Sequence, residues 1–546
     1  MTTDGNGYAK SAALVAGTYY VKEITAPKGY VLSGKVHTLT VKAGQTTGIS
    51  ATDKEQLGAI TIYKEGEVLS SWNGSNFTYE KKKLSGAAFK VTAGADIYKA
   101  DGTKVYSAGD VVAESLTTGT DGQVVLSDLH LGTYVITEIK SIDGYTINTT
   151  PQTVAVEYKH QTVTVQYEST TIENTRQKAD VSVVKKDSDT ENPLDGGKYT
   201  LYAGNDIKNY AGQVIVTKGT ALETVTTGED GKASYSADLP ISNGYYVSET
   251  QAPYAYIRNS KDVYSFNFNV LPETQAKASF SHTFVNDRTT AKIHIYKVDK
   301  ESGKAAAQGD ASLEGAVYGL YARNDIVHPD GATGVVFKAG DLVATLTTDK
   351  NGEAEVNNLY LGNYYVKEIT PSEGYLLDEE EHDVVCDYEG DLVAEVSRST
   401  TSAEQVIKQP FQLIKVSDNG DDTEAGLLAG AEFTAYLKSS LPVKADGSYD
   451  FDKAAPVVIG ENGATTTPHN MKTIKPFEVK ISENHPDKPQ TWRVFLDREF
   501  TAKLRVIKKD SDTKQTVLVP NAEFKIFNID KNEYVKQYTT YPSKVE

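Results

Sequence analysis

Short runs in which apolar and polar residues alternate recur along the chain, separated by turns rich in Gly, Asp and Asn. "AITIYK" ending at Lys64, "VSVVK" at Lys185, "IHIYK" at Lys297, "FQLIK" at Lys415 and "LRVIK" at Lys508 are the clearest. Alternation with a period of two over four to seven residues predicts half-buried β-strands. Each of these strands ends in a lysine. A polar turn follows, then a second strand in "LSGAAFKV", "LDGGKYTLY", "LEGAVYGLY", "LAGAEFTAY" or "VPNAEFKIF". A variable segment and a "TT.DG" turn lead to a late strand with one glutamate in it: "GTYYVKEITAPKGY" (17–30), "GTYVITEIKSIDGY" (132–145), "GYYVSETQAPYAY" (244–256) and "GNYYVKEITPSEGY" (362–375). The glutamates are Glu23, Glu138, Glu249 and Glu368.

The pattern repeats about every 110 residues, and repeats, rather than length, set the domain count. The boundaries expected are 1–56 (the C-terminal part of a unit), 57–177, 178–289, 290–407, 408–500 (atypical or incomplete) and 501–546 (the start of a further unit). "TTDGNGYA" at 2–9 matches the middle of later repeats, so the sequence is expected to begin inside a unit. Face-to-face antiparallel sheets, one small β-sandwich per repeat, are the expected fold. Linkers are so short that the units should form an elongated, stiff array.

Eleven residues before each opening lysine stand Asp53, Asn174, Asn286, Glu404 and Asp497, every one a carboxylate or carboxamide. Lysine on the first strand, glutamate on a late strand and Asn or Asp on the last strand therefore make a set. If the first and last strands lie side by side, alternation can aim all three into the core. Burial lowers a lysine pKa and raises that of a glutamate, giving an amine nucleophile beside a proton donor and acceptor. The amine can then attack the side-chain amide and release ammonia, with proximity supplying the second reactant.

These stretches resemble the B-type domains of Gram-positive collagen adhesins and pilins, over nearly the whole chain. The resemblance implies an all-β, transthyretin-like (prealbumin-like) or inverse immunoglobulin sandwich used as a surface stalk, with self-formed intramolecular isopeptide bonds and a catalytic glutamate. It assigns Lys64, Glu138 and Asn174 to one bond and Lys185, Glu249 and Asn286 to a second. Lys297 and Glu368 face Glu404, one methylene longer than the family's acceptor, which argues against a bond there. Glu23 and Asp53 lack a lysine. Lys415 and Asp497 lack a glutamate, since Ala464 in "NGATTTPHNM" stands in its place.

Composition narrows the alternatives. A net charge of −18 opposes a nucleic-acid partner. Cys386, the one cysteine, excludes an internal disulfide. No apolar run reaches the roughly 18 residues of a spanning helix. The nine histidines show no metal-ligand spacing, so neither metal nor cofactor is expected, and nothing supports a turnover enzyme. "DSDTEN" (187–192) and "LLDEEEHD" (376–383) read as solvated turns and loops. The expected location is the cell-wall surface, with signal and anchor outside this sequence. Two other functions stay open: host-matrix or glycan binding by insertions such as 66–83, with Trp72, Phe77 and Tyr79 as contacts, or 438–456; and spacer domains of a larger secreted enzyme.

Overall fold

The computed structural model describes residues 1–241, 243–415, 433–457, 476–481, 484–485, 487–494, 508–517, 524–529 and 532–534. Two compact units are present, Met1–Val406 and Ile407–Glu546.

In the first unit, one two-sheet architecture occurs three times. Over residues 57–174 a three-stranded sheet has the order Gln123–Leu129, Leu57–Trp72, Val165–Asn174. A four-stranded sheet has the order Val111–Thr117, Ala88–Ala93, Gly132–Lys140, Gln152–Val156. The next repeat centres its sheets on Lys178–Asp187 and Lys198–Ala203, the third on Thr290–Asp299 and Val317–Ala322. Alternation decides what lies between the sheets. Ile60 and Ile62, Tyr134 and Ile136, Val154 and Val156 all turn inward to one core, and the corresponding residues of the later repeats form two more.

The four-stranded sheets are antiparallel, as expected. The pairing of first and last strands is not: Leu57–Trp72 runs parallel to Val165–Asn174, Lys178–Asp187 to Lys277–Asn286, and Thr290–Asp299 to Glu395–Glu404. Parallel strands need a long crossover, and here the rest of the repeat provides it. Residues 1–55 contribute two small antiparallel pairs, Gly17–Lys22 with Val36–Val41 and Tyr30–Val31 with Lys54–Glu55.

The insertion at 66–83 prolongs the first strand to Trp72 and returns it as Phe77–Lys83. Its aromatics are not free contacts. Phe77 is buried in the core of the following repeat, with Trp72 and Tyr79 packed against it. The Tyr79 hydroxyl donates to the Asp238 carbonyl at 2.9 Å, and Arg176 lies over its ring.

In the second unit, Phe411–Lys415 pairs in parallel with Gln490–Val494, and Phe527–Asn528 pairs antiparallel with Glu533–Tyr534. The insertion at 438–456 holds two short 3₁₀ turns, Lys438–Ser440 and Phe451–Lys453. Asp497 and Ala464 lie outside the described residues.

Candidate functional site

The parallel register brings the lysine and its acceptor together. Lys64 is level with Ile172 and Asn174 with Gly66, so the two side chains are two positions apart on the same face. Lys185 and Asn286 repeat this offset, as do Lys297 and Glu404. Opposite them, Glu138, Glu249 and Glu368 take the last inward position of their strands, directly across from Phe89, Tyr199 and Tyr318. Each trio therefore closes one end of a core. All nine side chains are buried, and the three lysines are 0% exposed.

In the 57–177 repeat, Lys64 Nζ lies 3.0 Å from Glu138 Oε2, and Asn174 Nδ2 donates to Glu138 Oε1 at 2.8 Å and to Ser141 Oγ at 2.7 Å. In the 178–289 repeat, Lys185 Nζ is 3.5 Å from Glu249 Oε1, which accepts from Asn286 Nδ2 at 2.8 Å and from the Tyr199 hydroxyl at 2.9 Å. The buried oxygens Asn174 Oδ1 and Asn286 Oδ1 have no hydrogen-bond donor among the described residues. Leaving a buried acceptor unmatched costs about 1–3 kcal/mol, so neither amide is placed where its hydrogen bonding alone gives the most stability.

Burial also acts on the amines. Desolvation lowers the pKa of Lys64 against the pull of Glu138, and brings Lys185 down to about 8 against the pull of Glu249. Burial thus favours the neutral form of the Lys185 amine relative to an exposed lysine.

The third trio differs. Lys297, also brought to about 8 by desolvation, lies 3.5 Å from Glu368 and in direct ion-pair contact with Glu404, which accepts the Tyr318 hydroxyl. The extra methylene of Glu404 therefore does not keep it from the lysine. Desolvation raises the pKa of Glu368. Glu23 and Asp53 meet without a first-strand lysine; burial, then the hydrogen bond and charge of Glu23, raise the pKa of Asp53. Lys415 sits half-buried near the end of its strand, while Asp497 falls outside the described residues.

Several supporting groups had no clear signal in the sequence. Every glutamate accepts a backbone N–H from the tenth residue after it: Ser33 to Glu23 (2.9 Å), Asn148 to Glu138 (2.9 Å), Asn259 to Glu249 (2.8 Å) and Asp378 to Glu368 (2.7 Å). Tyr199 and Tyr318 could have been found from the aromatic that recurs in the second strand. Two polar stretches read as solvated are partly buried. Asp378 of the acidic run accepts from Ser402 Oγ at 2.8 Å and pairs with His382 at 2.7 Å. Asp187 of "DSDTEN" is buried and accepts the Tyr256 hydroxyl at 2.6 Å. Asp187, His328 and Asp330 converge, a grouping that sequence distance hid, and so do Asp378, Glu380 and His382, which alternate along the acidic run. Asp330 already accepts from Thr190, Asn192 and Thr333, which makes its cluster a hydrogen-bonded clasp between neighbouring repeats.

Comparison with known families bears on the same residues. The SpaA prealbumin-like fold domain matches at 1–55, 78–171, 179–281 and 291–400, two thirds of the chain; the matched segments take in Glu138, Lys185, Glu249, Lys297 and Glu368, while Lys64, Asn174, Asn286 and Glu404 fall outside them. The chain belongs to this SpaA prealbumin-like family. Among curated proteins, the serine-aspartate repeat-containing protein D of Staphylococcus aureus strains MW2 and MSSA476 is 26% identical over 394 residues, covering 67% of this chain and 26% of the relative. The chain thus spans about a quarter of the length of these relatives. Solved structures similar to this SpaA-family chain include the Bacillus anthracis TIE protein (20% identity, TM-score 0.43, covering 67% of this chain and 57% of that one). Another is BcpA, the major pilin subunit of Bacillus cereus (17% identity, TM-score 0.26, covering 64% and 99%). Among the described residues, no helix is long and apolar enough to cross a membrane.

Proposed function

We propose that this chain is part of the stalk of a Gram-positive cell-surface adhesin or pilin-like protein, and that its repeats at 57–177 and 178–289 lock themselves with Lys64–Asn174 and Lys185–Asn286 isopeptide bonds. The observation that carries this reading is the joint burial of lysine, glutamate and asparagine where the first and last strands end together. Family membership supports a structural role over a turnover enzyme.

The chemistry follows from the geometry. Passage of a proton from Lys64 Nζ to Glu138 Oε2 across their 3.0 Å contact leaves a neutral amine and a carboxylic acid; the amine adds to Cγ of Asn174 while that acid gives the proton to Oδ1. For this the amide turns over, which its near-isosteric oxygen and nitrogen allow. Glu138, now a carboxylate, takes a proton from Nζ and passes it to Nδ2. The Cγ–Nδ2 bond breaks, ammonia leaves, and Oδ1 returns its proton to the Glu138 carboxylate, so that a neutral Nζ–Cγ amide remains. Glu249 serves Lys185 and Asn286 in the same way. At Lys297 the acceptor is a carboxyl, and a bond would release water; an ionised pair with Glu404, stabilised by Tyr318, is the alternative that the chemistry favours, because a carboxylate is a poor electrophile.

Intact mass of the denatured chain tests the proposal. The wild type should be lighter than its sequence by two ammonia molecules, and the Glu138→Ala, Glu249→Ala double variant should recover that mass. An additional loss of water would place a third bond at Lys297. A wild-type mass equal to the sequence would leave the trios as unreacted buried networks and end the covalent reading.

A further inference from the structure

Three of the four glutamate sites are backed by the repeat that follows, through the same two hydrogen bonds at each junction. Behind Glu138, the N–H of Ser141 donates to the carboxylate of Glu273 at 2.8 Å, and the N–H of Ile147 donates to the backbone carbonyl of Glu273 at 2.9 Å. Behind Glu249, Ala252 N–H meets the Asp391 carboxylate at 3.0 Å and Arg258 N–H meets the Asp391 carbonyl at 2.8 Å. Behind Glu23, Ala26 N–H meets Gln161 Oε1 at 2.8 Å and Leu32 N–H meets the Gln161 carbonyl at 2.8 Å. The offsets from the glutamate are identical, three and nine residues. The tenth residue is the one whose N–H holds the glutamate itself.

One residue of the following repeat therefore grips both ends of the turn that positions the carboxylate. In the 57–177 repeat the grip reaches the acceptor as well, because Ser141, held by Glu273, takes the Asn174 amide proton on its hydroxyl. We infer that Glu273 and Asp391 are positioning residues for bond formation in the preceding repeat, so that each bond closes efficiently only once the next repeat has folded and docked. The inference rests on the bond-forming reading above. It adds an order: locking proceeds behind the folding front, from the junction backwards. At the fourth glutamate the third residue onward is Pro371, which has no N–H to offer, so the Glu368 site cannot be gripped in this way.

The test follows newly made full-length chain from cell-free translation, quenched at intervals, with intact mass for the number of bonds and peptide mapping for their location. Glu273→Ala should slow the Lys64–Asn174 bond roughly tenfold, the rate equivalent of one lost charge-assisted hydrogen bond, while Lys185–Asn286 forms at the wild-type rate. Asp391→Ala should show the reverse selectivity. Glu273→Gln and Asp391→Asn, which keep an acceptor oxygen, should restore the rates, a rescue that loss of packing alone would not give. Unchanged kinetics in both alanine variants would overturn the inference, and so would equal slowing of both bonds, which would report a general folding defect. A wild-type chain that never loses ammonia would instead defeat the bond-forming reading itself, a result distinguishable from bonds that form indifferently to the clamp.

Discussion

At the scale of the residue, what sets these sites apart is a lysine kept in a place that opposes its charge. Lys185 is fully buried, and its pKa of about 8 lies below the ordinary 10.5 because desolvation outweighs the attraction of Glu249. In the wild type the proposed amide removes the titration. In Asn286→Ala the amine persists, and the sign of the pH effect is fixed. Below pH 8 both folded and unfolded states hold the proton, and the burial penalty is felt in full. Between about 8 and 10.5 the unfolded state binds more protons, so stability rises with pH. Above 10.5 neither state is protonated and the penalty is gone. The melting temperature of Asn286→Ala should therefore climb relative to wild type between pH 8 and 10.5. A parallel pair of melting curves across that window would mean that the buried amine is not what distinguishes the two chains.

At the scale of the element, the sequence showed which strands carry the buried lysine, glutamate and asparagine but not how those strands run. Alternation placed Lys64, Glu138 and Asn174 on inward faces because the period of two is local information. The parallel pairing of first and last strands was not legible, since it depends on a crossover of a whole repeat. Nor were the N–H groups of Asn148 and Asn259, because a backbone donor leaves no side-chain signature. "LLDEEEHD" misled for a related reason: a run of charges reads as solvated, yet Asp378 turns inward to Ser402. Gly66 shows how the register constrains single positions. It stands opposite Asn174, where the later repeats have Asp187 and Asp299 receiving tyrosine hydroxyls. Here Tyr145 instead fills the space and donates to the Glu67 carbonyl at 2.6 Å. A Cβ at Gly66 would come within 2.7 Å of both Leu84 and the Tyr145 ring. Gly66→Ala should cost about 1–3 kcal/mol by overpacking, read as a lower denaturant midpoint in the Glu138→Ala background, where no bond masks the change. An unchanged midpoint would show that Tyr145 can move aside freely.

At the scale of the whole molecule, the parallel strands determine where tension goes. Force enters the 57–177 repeat at the start of Leu57–Trp72 and leaves at the end of Val165–Asn174. Because these strands are parallel, the load shears their ladder along its length. The proposed Lys64–Asn174 bond would lie across that path and bypass the 174 − 64 = 110 residue steps between its ends. For Lys185–Asn286 the bypassed length is 286 − 185 = 101 steps. Closing a loop of this size also stabilises the repeat by roughly 4–5 kcal/mol in the chain-entropy account, but the mechanical consequence is the larger one, because no backbone within the loop can extend until a covalent bond breaks. Stretched singly between its ends, the wild-type chain should give no unfolding steps from these two repeats. The Glu138→Ala, Glu249→Ala chain should gain two, each releasing on the order of 350 Å at roughly 3.5 Å per residue. Two such steps in the wild type would mean that the terminal strands part under load, and a stalk built from these repeats would then lengthen by successive unfolding rather than hold its length.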